Sequence, residues 1–376
     1  MPRHPMVSST VSSMAGGVFS RLAGRIAALE GEVYPLHVGD TWLAPATGAR
    51  MEDLAEAELP GLHRYCRPMG HPRLVAALSA HRDIDPERIL VSAGATGGLS
   101  AAAGALLDPG DEVLVLAPYW PLITGIVRTA RGRPVQVPFH DRSGSVEDRL
   151  RPFLTERTVA LYVNTPSNPL GTVLDADIIA EIAAFARAHG LWIWSDEVYE
   201  DFAYTRPHVP VAPAAPERTL TAHSFSKAYG MAGNRCGYIV GPTDPAVMQE
   251  LRKASIHSYY ACPTASQLAA ERVLRCGGAW LSDARAAYRV AGEAAAARLG
   301  VAAPEGGTFL FVDVSAHLDA SGLHGFLVRC VERHLLLAPG SSCGDAYGGH
   351  VRVCFTSAPP GVVARGVDVL ASLIGR

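Results

Sequence analysis

Residues 89–118 read ILVSAGATGGLSAAAGALLDPGDEVLVLAP. ILVSAG (89–94) is an apolar run of strand length, and TGGLSAAAGALL (96–107) is small-residue-rich and long enough for a helix. Asp108-Pro109-Gly110 is a turn, and DEVLVLAP (111–118) is a second strand. The unit is therefore strand, glycine turn, helix, strand. Working outward, RPVQVPF (133–139) and VALYVN (159–164) repeat the strand pattern. DADIIAEIAAFARAHG (175–190) has an acidic start, helical apolar spacing and a terminal glycine, and reads as a helix. LWIWSDEVY (191–199), TLTAHSFSK (219–227) and CGYIVG (236–241) are further strands running into loops. Strands alternating with helices predict an α/β layer fold with a mainly parallel sheet. In such sheets ligands bind beyond the carboxyl ends of the strands.

Beyond residue 262 the pattern changes. Residues 263–300 are alanine-rich and helical, interrupted at Gly277-Gly278. A strand (FLFVDVS, 309–315), a helix (322–335), a strand (HVRVCFT, 350–356) and a closing helix follow. These predict a smaller α+β domain, joined in space by the N-terminal segment. No internal repeat, low-complexity tract or long linker is evident.

The length of 376 residues agrees with two domains, or one large domain with an appendage. The chain is 48% apolar and 18% charged, enough to bury a large core. Its 33 basic and 36 acidic residues leave a net charge of -3, which gives no electrostatic footprint for nucleic acid or an anionic membrane. Residues 89–107 carry no charge over a membrane-span length, but the glycines at 94, 97, 98 and 104 divide the run, so no membrane span is expected. The start, MPRHPMVSSTVSSMAGG, lacks the apolar core of a leader peptide. The 7 cysteines are odd in number and widely spaced. They read as reduced thiols of a cytoplasmic protein rather than as disulfides or a zinc set, and no metal site is expected.

Only two lysines, Lys227 and Lys253, occur against 33 basic residues in all. Lys227 follows a strand in Ser224-Phe225-Ser226-Lys227. A desolvated lysine in a cleft loses its proton more readily and becomes a nucleophile able to form a Schiff base; the competing reading is a solvated surface charge. Gly230, Gly233 and Gly237 surround Arg235; glycines allow close backbone approach, and a buried arginine there would take a bidentate anion such as phosphate. Gly94-Ala95-Thr96-Gly97 lies where a helix begins, another place for an anion, although such turns also serve packing. It is not the G-x-G-x-x-G of dinucleotide sites. Asp196, at the end of LWIWS, is costly to bury unless paired. It reads as a carboxylate for a protonated ring nitrogen, or as a helix cap or structural ion pair. Asn164-Thr165-Pro166-Ser167-Asn168-Pro169-Leu170-Gly171 is a rigid loop that aims an amide.

Together these stretches resemble the fold-type I pyridoxal-phosphate enzymes, specifically the class I/II aminotransferases, from about Gly39 to the C-terminus. The family's asparagine loop, D-x-x-Y element, S-x-S-K lysine, G-x-R-x-G arginine and late strand arginine all occur here, in order. The resemblance implies a large domain over residues 47–262, with its mainly parallel sheet sandwiched by helices, and a small domain from residues 1–46 and 263–376. It implies pyridoxal 5'-phosphate as cofactor, with Lys227 as the aldimine lysine. Asp196 would sit on the pyridine nitrogen, Tyr199 and Asn168 on the phenolic oxygen, and Trp120 on the ring face. Ala95, Thr96, Ser224 and Arg235 would hold the phosphate. Arg352 would clamp the substrate carboxylate beside Gly39, with Asn168 close by. Tyr65 matches a tyrosine that reaches the neighbouring subunit's phosphate, so a homodimer with shared active sites is implied. The implied activity moves an amino group from an L-amino acid to a 2-oxo acid by way of pyridoxamine phosphate.

Some positions depart from the family pattern. Asp40-Thr41-Trp42 stands where a proline is common, Asn234 precedes the phosphate arginine in place of tryptophan, and Thr165 displaces the first proline of the asparagine loop. Thr96 stands where some dicarboxylate-handling members have lysine. None of these removes a group that must do chemistry. A lyase, a decarboxylase or an enzyme like aminocyclopropane-carboxylate synthase shares the same lysine and carboxylate, and SNPLGT resembles that last branch. A sensor domain of a transcription regulator would need a DNA-binding domain, for which the residues before Gly39 are too few. Trp42, Tyr229, Tyr259, Tyr260 and Phe309 are candidates for an apolar pocket wall, or for core.

Overall fold

The computed structural model describes residues 4–14, 16, 22–141 and 144–376. Positions 1–3, 15 and 17, part of the stretch read as lacking a leader, lie outside the described residues, as do 18–21 and 142–143. Seven strands form the large sheet: β1 Ile89–Ser92, β2 Glu112–Ala117, β3 Arg133–Pro138, β4 Thr158–Asn164, β5 Trp192–Asp196, β6 Thr219–Ser224 and β7 Gly237–Val240. Their order is β1-β7-β6-β5-β4-β2-β3. Neighbours pair in parallel except at β7, which runs antiparallel to both β1 and β6. Every residue of β1 is buried, as is most of β2 and β4, because helices cover both faces and no strand face can be polar.

The helix expected at 175–190 spans Ala176–His189 and ends on Gly190 in the left-handed region, φ 69°. Its buried positions Ile179, Ile182, Ala183, Phe185 and Ala186 form one stripe against the sheet. The charge-free run resolves into β1 and the helix Gly94–Leu106. No helix among the described residues is long and apolar enough to cross a membrane.

The second sheet comprises β8 Phe309–Asp313, β9 Ala338–Pro339 and β10 His350–Cys354, ordered β8-β10-β9 and antiparallel. The helices Gly278–Leu299, Gly322–Glu332 and Pro360–Leu373 contribute residues to its core with Leu310, Phe326 and Phe355. Leu22 and Leu36 from the N-terminal segment enter the same core. The helix expected over 322–335 stops at Glu332. His334 turns into the left-handed region, φ 61°, and Leu335 leaves to bridge Tyr34.

This topology sets three strand ends side by side. Asn164, Asp196 and Ser224 close β4, β5 and β6, and Asn164 is level with Asp196, which is level with Ala222. Since β7 is reversed, its first residue Gly237 lies opposite Ser224. A Cβ on Gly237 would come within 2.8 Å of the Ala95 nitrogen and 2.6 Å of the His223 oxygen, so only glycine lets these backbones meet.

Candidate active site

Beyond those strand ends lies a cleft of about 690 Å³. Lys227, three residues after Ser224, enters it with its ammonium donating to the Gly39 carbonyl. Burial lowers its pKa, and Arg352 and Arg235 act in the same direction, against Cys354 and Asp40. A Cβ on Gly39 would meet the Phe309 ring at 2.7 Å and the Lys227 Nζ at 3.4 Å. Glycine there keeps the amine's approach open.

Asp196 is buried at the end of β5. Its Oδ2 accepts from the Tyr162 hydroxyl at 2.7 Å, and Oδ1 accepts from the Val198 N–H at 3.4 Å. The Asn164 amide donates to its backbone carbonyl at 2.8 Å. Burial raises the Asp196 carboxyl to about 6, with the Tyr162 hydrogen bond foremost among the groups opposing it. Tyr199 is buried and its phenol is pushed above its ordinary range by the loss of solvent. Its ring stands edge-on to Phe309 at 5.9 Å.

The opposite wall is built for an anion. The helix Gly94–Leu106 begins without a side-chain cap, and its first-turn residues Ala95 and Thr96 line the cleft. An uncapped helix start offers backbone donors and a positive dipole end. Arg235, itself left-handed at φ 51°, lies over it, exposed at the cleft mouth rather than buried as its glycine setting suggested. A Cβ on Gly94 would fall 2.5 Å from the Arg235 Nη2. The guanidinium is braced by the Ala232 carbonyl at 3.0 Å and the Ser226 hydroxyl at 3.3 Å, while the Ser226 N–H donates to the Ser224 hydroxyl at 3.0 Å. A phosphate ester fits this cradle. An amine, a buried carboxylate and the Trp120 indole stand around the same cleft. The donor set therefore fits pyridoxal phosphate: phosphate, carbonyl, ring nitrogen and ring face each have a complementary group.

A second cation approaches from β10. Arg352 is largely buried and its guanidinium lies 4.3 Å from the centre of the Phe309 ring. Nη1 donates to the Asn168 side-chain oxygen at 2.9 Å and Nη2 to the His37 carbonyl at 3.0 Å. Nε is buried without a hydrogen-bond partner. A buried unsatisfied donor on a fixed guanidinium is suited to an incoming carboxylate. His37 is held neutral, its imidazole lowered to about 4 by burial and by Arg352.

Eleven of the twelve residues singled out in the sequence line this one cleft: Gly39, Ala95, Thr96, Trp120, Asn168, Asp196, Tyr199, Ser224, Lys227, Arg235 and Arg352. Tyr65 does not. It is 90% exposed, its ring in an edge-to-face contact with Tyr260 at 5.2 Å. Of the aromatic wall candidates, Phe309 lines the cleft. Trp42 packs on Tyr288 and Tyr229 joins a core with Phe225 and Tyr238, while Tyr259 rests near Gly97 and Tyr260 is half exposed. Sequence reasoning missed Ser226, Asn164 and Tyr162. Asn164 and Tyr162 lie two apart on β4, so strand alternation puts them on the face of Asp196.

A family model described as aminotransferase class I and II matches residues 34–370. A probable aspartate/prephenate aminotransferase of Thermus aquaticus is 33% identical over 315 residues, 79% of this chain and 80% of that protein. An arginine–pyruvate transaminase of Pseudomonas aeruginosa is 32% identical over 281 residues, 72% of this chain and 70% of the other. The solved structure of Thermus thermophilus aspartate aminotransferase with maleate superposes with a TM-score of 0.88 at 28% identity, covering 98% of this chain and 100% of that one.

Proposed function

Because the chain belongs to the class I and II aminotransferases, and so is a pyridoxal-phosphate-dependent transferase, we propose that Lys227 is its catalytic lysine and that the cleft around it is where amino groups are exchanged. The observation that carries this reading is convergence. One buried amine, one buried carboxylate and two fixed guanidinium groups, 235 and 352, face a single cleft.

Pyridoxal phosphate, when bound, supplies an electrophilic carbon and a conjugated ring that takes up the electron pair left at the substrate's α-carbon. The phosphate would be held by Arg235, Ser224 and the first-turn N–H groups of Ala95 and Thr96, and Trp120 would cover a ring face. Asp196 would hold a proton at the ring nitrogen, with Tyr199 and Asn168 available to the phenolic oxygen. Arg352 takes the substrate carboxylate on its free Nε and an Nη, beside Gly39. Lys227 Nζ, its ammonium destabilised by burial, would be the nucleophile toward the carbonyl carbon; the substrate's amine would displace it there, and the freed Nζ would then be the base that moves the proton from the substrate Cα to that carbon. The same atom returns a proton when a 2-oxo acid is aminated. The named relatives are aminotransferases, which does not favour the lyase, decarboxylase or cyclase alternative.

The same reading includes a homodimer, with Tyr65 offered to the partner's site. Its 90% exposure beside a half-exposed Tyr260 supports that role. It also includes a large unit over residues 47–262 and a small unit from 1–46 and 263–376, supported by the separate second sheet and its core. A cytoplasmic location is part of it, supported by seven free cysteines, of which six are buried.

The test is the visible absorption spectrum of the purified protein during titration with amino acids one at a time. Conversion of the cofactor band by an amino acid, and its restoration by a 2-oxo acid, is the expected result and names the donor. A band that shifts without that cycle would count for elimination, decarboxylation or ring closure instead.

A further inference from the structure

We propose that Tyr162 is a positioning residue for Asp196, holding the carboxylate in its anionic form so that the proton stays on the cofactor's ring nitrogen. This rests on the reading of Asp196 as the ring-nitrogen partner.

The geometry comes from strand alternation. Tyr162 lies level with Trp194 on β5, and Asn164, two residues on, lies level with Asp196. Both β4 side chains therefore face the side on which Asp196 acts. Tyr162 is 1% exposed, in a core with Val115, Trp194 and Ala222. Phenylalanine would fill that volume equally well, so packing does not call for the hydroxyl. What the hydroxyl does is donate to Asp196 Oδ2 at 2.7 Å. The other donor on the carboxylate, the Val198 N–H, stands at 3.4 Å. With the Asn164 amide on the Asp196 backbone carbonyl, β4 grips this residue at main chain and side chain together.

The chemical consequence follows from competition for one proton. It rests on whichever is more basic, the carboxylate or the ring nitrogen. A buried carboxylate with no donors becomes strongly basic. A hydroxyl that donates to it stabilises the anion and lowers its basicity, leaving the proton on the ring. Tyr162 stays a donor throughout, since burial and the neighbouring Asp196 hold its phenol well above the ordinary range.

Tyr162→Phe keeps the ring packing and removes only the hydroxyl. The holoenzyme is reconstituted with pyridoxal phosphate labelled with ¹⁵N in the ring, and the ring-nitrogen resonance is followed against pH. In the unchanged protein the resonance is that of a protonated pyridine. In Tyr162→Phe it moves toward neutral pyridine, and the dissociation constant for pyridoxal phosphate rises about tenfold. Asp196→Asn is measured alongside and loses the protonated signal. If Asp196→Asn loses it and Tyr162→Phe retains it unchanged, Tyr162 is core filling and the proposal falls. If Asp196→Asn also leaves the resonance unchanged, Asp196 is not the ring partner, and the proposal falls with that reading.

Discussion

Arg352 is held in place by its two ends and left open at its middle: Nη1 is on Asn168, Nη2 is on the His37 carbonyl, and Nε has no partner. Lysine at this position would keep a charge but lose the planar fork. Arg352→Lys is expected to lower kcat/KM for the amino acid by about 10- to 100-fold, mostly through KM, in steady-state assays. Lys227→Ala removes both nucleophile and base. Turnover is expected to drop by about a thousandfold or more in single-turnover assays, with the fold retained by circular dichroism. Asp196 makes a prediction about the cofactor-free protein. Its carboxyl is raised by burial from 3.8 to about 6, so between those values the folded chain binds more protons than the unfolded one. Stability must then fall as pH rises through that window, by about 3 kcal/mol from this group. Denaturant midpoints taken from pH 4 to 7 should show a slope that Asp196→Asn flattens. Residues whose side chains are expensive to bury, such as Lys227, Asp196 and Arg352, were legible in the sequence because chemistry is the economical reason to bury them. Tyr162 was not, since a tyrosine inside VALYVN reads as core and its hydroxyl gains a meaning only once β4 lies beside β5.

At the scale of elements, the strands of the large sheet were legible because layers on both faces force continuous apolar runs. Two features escaped. The reversed direction of β7 depends on its connection: residues 225–236 hold only short 3-10 turns, so there is no crossover helix to bring the chain back parallel. β9, two residues long, carries no pattern at all. The helices Pro72–Arg82 and Pro245–Ser258 also went unread, although Pro245 behind the capping Asp244 is a plain start signal. The junction between β1 and its helix makes the sharpest element-level prediction. Gly94 has φ 70°, and a Cβ there collides with the Arg235 guanidinium. Gly94→Ala should weaken pyridoxal phosphate binding by about tenfold or more while leaving the sheet intact, read by cofactor titration beside a thermal melt. On the back of the sheet, Glu200 is paired with Arg82 and His223, which hold its carboxyl well below the usual range despite burial. That contribution is present above the ordinary carboxylate range and is lost as pH falls. Glu200→Gln should therefore cost about 3–5 kcal/mol at neutral pH and progressively less on acidification, in denaturant titrations.

At the scale of the whole molecule, the proposed dimer has a consequence that no single chain can show. If each site takes Lys227 from one protomer and Tyr65 from the other, two defective chains complement each other in a defined way. A heterodimer of Lys227→Ala and Tyr65→Ala chains places both lesions in one site and leaves the other site native. Random reassociation of equal amounts makes half the dimers mixed, each with one native site, so about a quarter of all sites should recover at limiting cofactor. Tyr65→Ala alone should bind pyridoxal phosphate more weakly, because a hydroxyl donor to the phosphate is gone. If the two lesions instead acted within one chain, every lysine-bearing chain would keep its own Tyr65→Ala defect, and mixing would recover nothing. The exposure of Tyr65 on a chain whose other eleven singled-out residues share one cleft is what this experiment interprets. Recovery near a quarter, with a dimeric mass by sedimentation, would assign Tyr65 to the neighbour's site. A mixture no more active than the sum of its parts would return Tyr65 to the surface and leave the cleft complete within one chain.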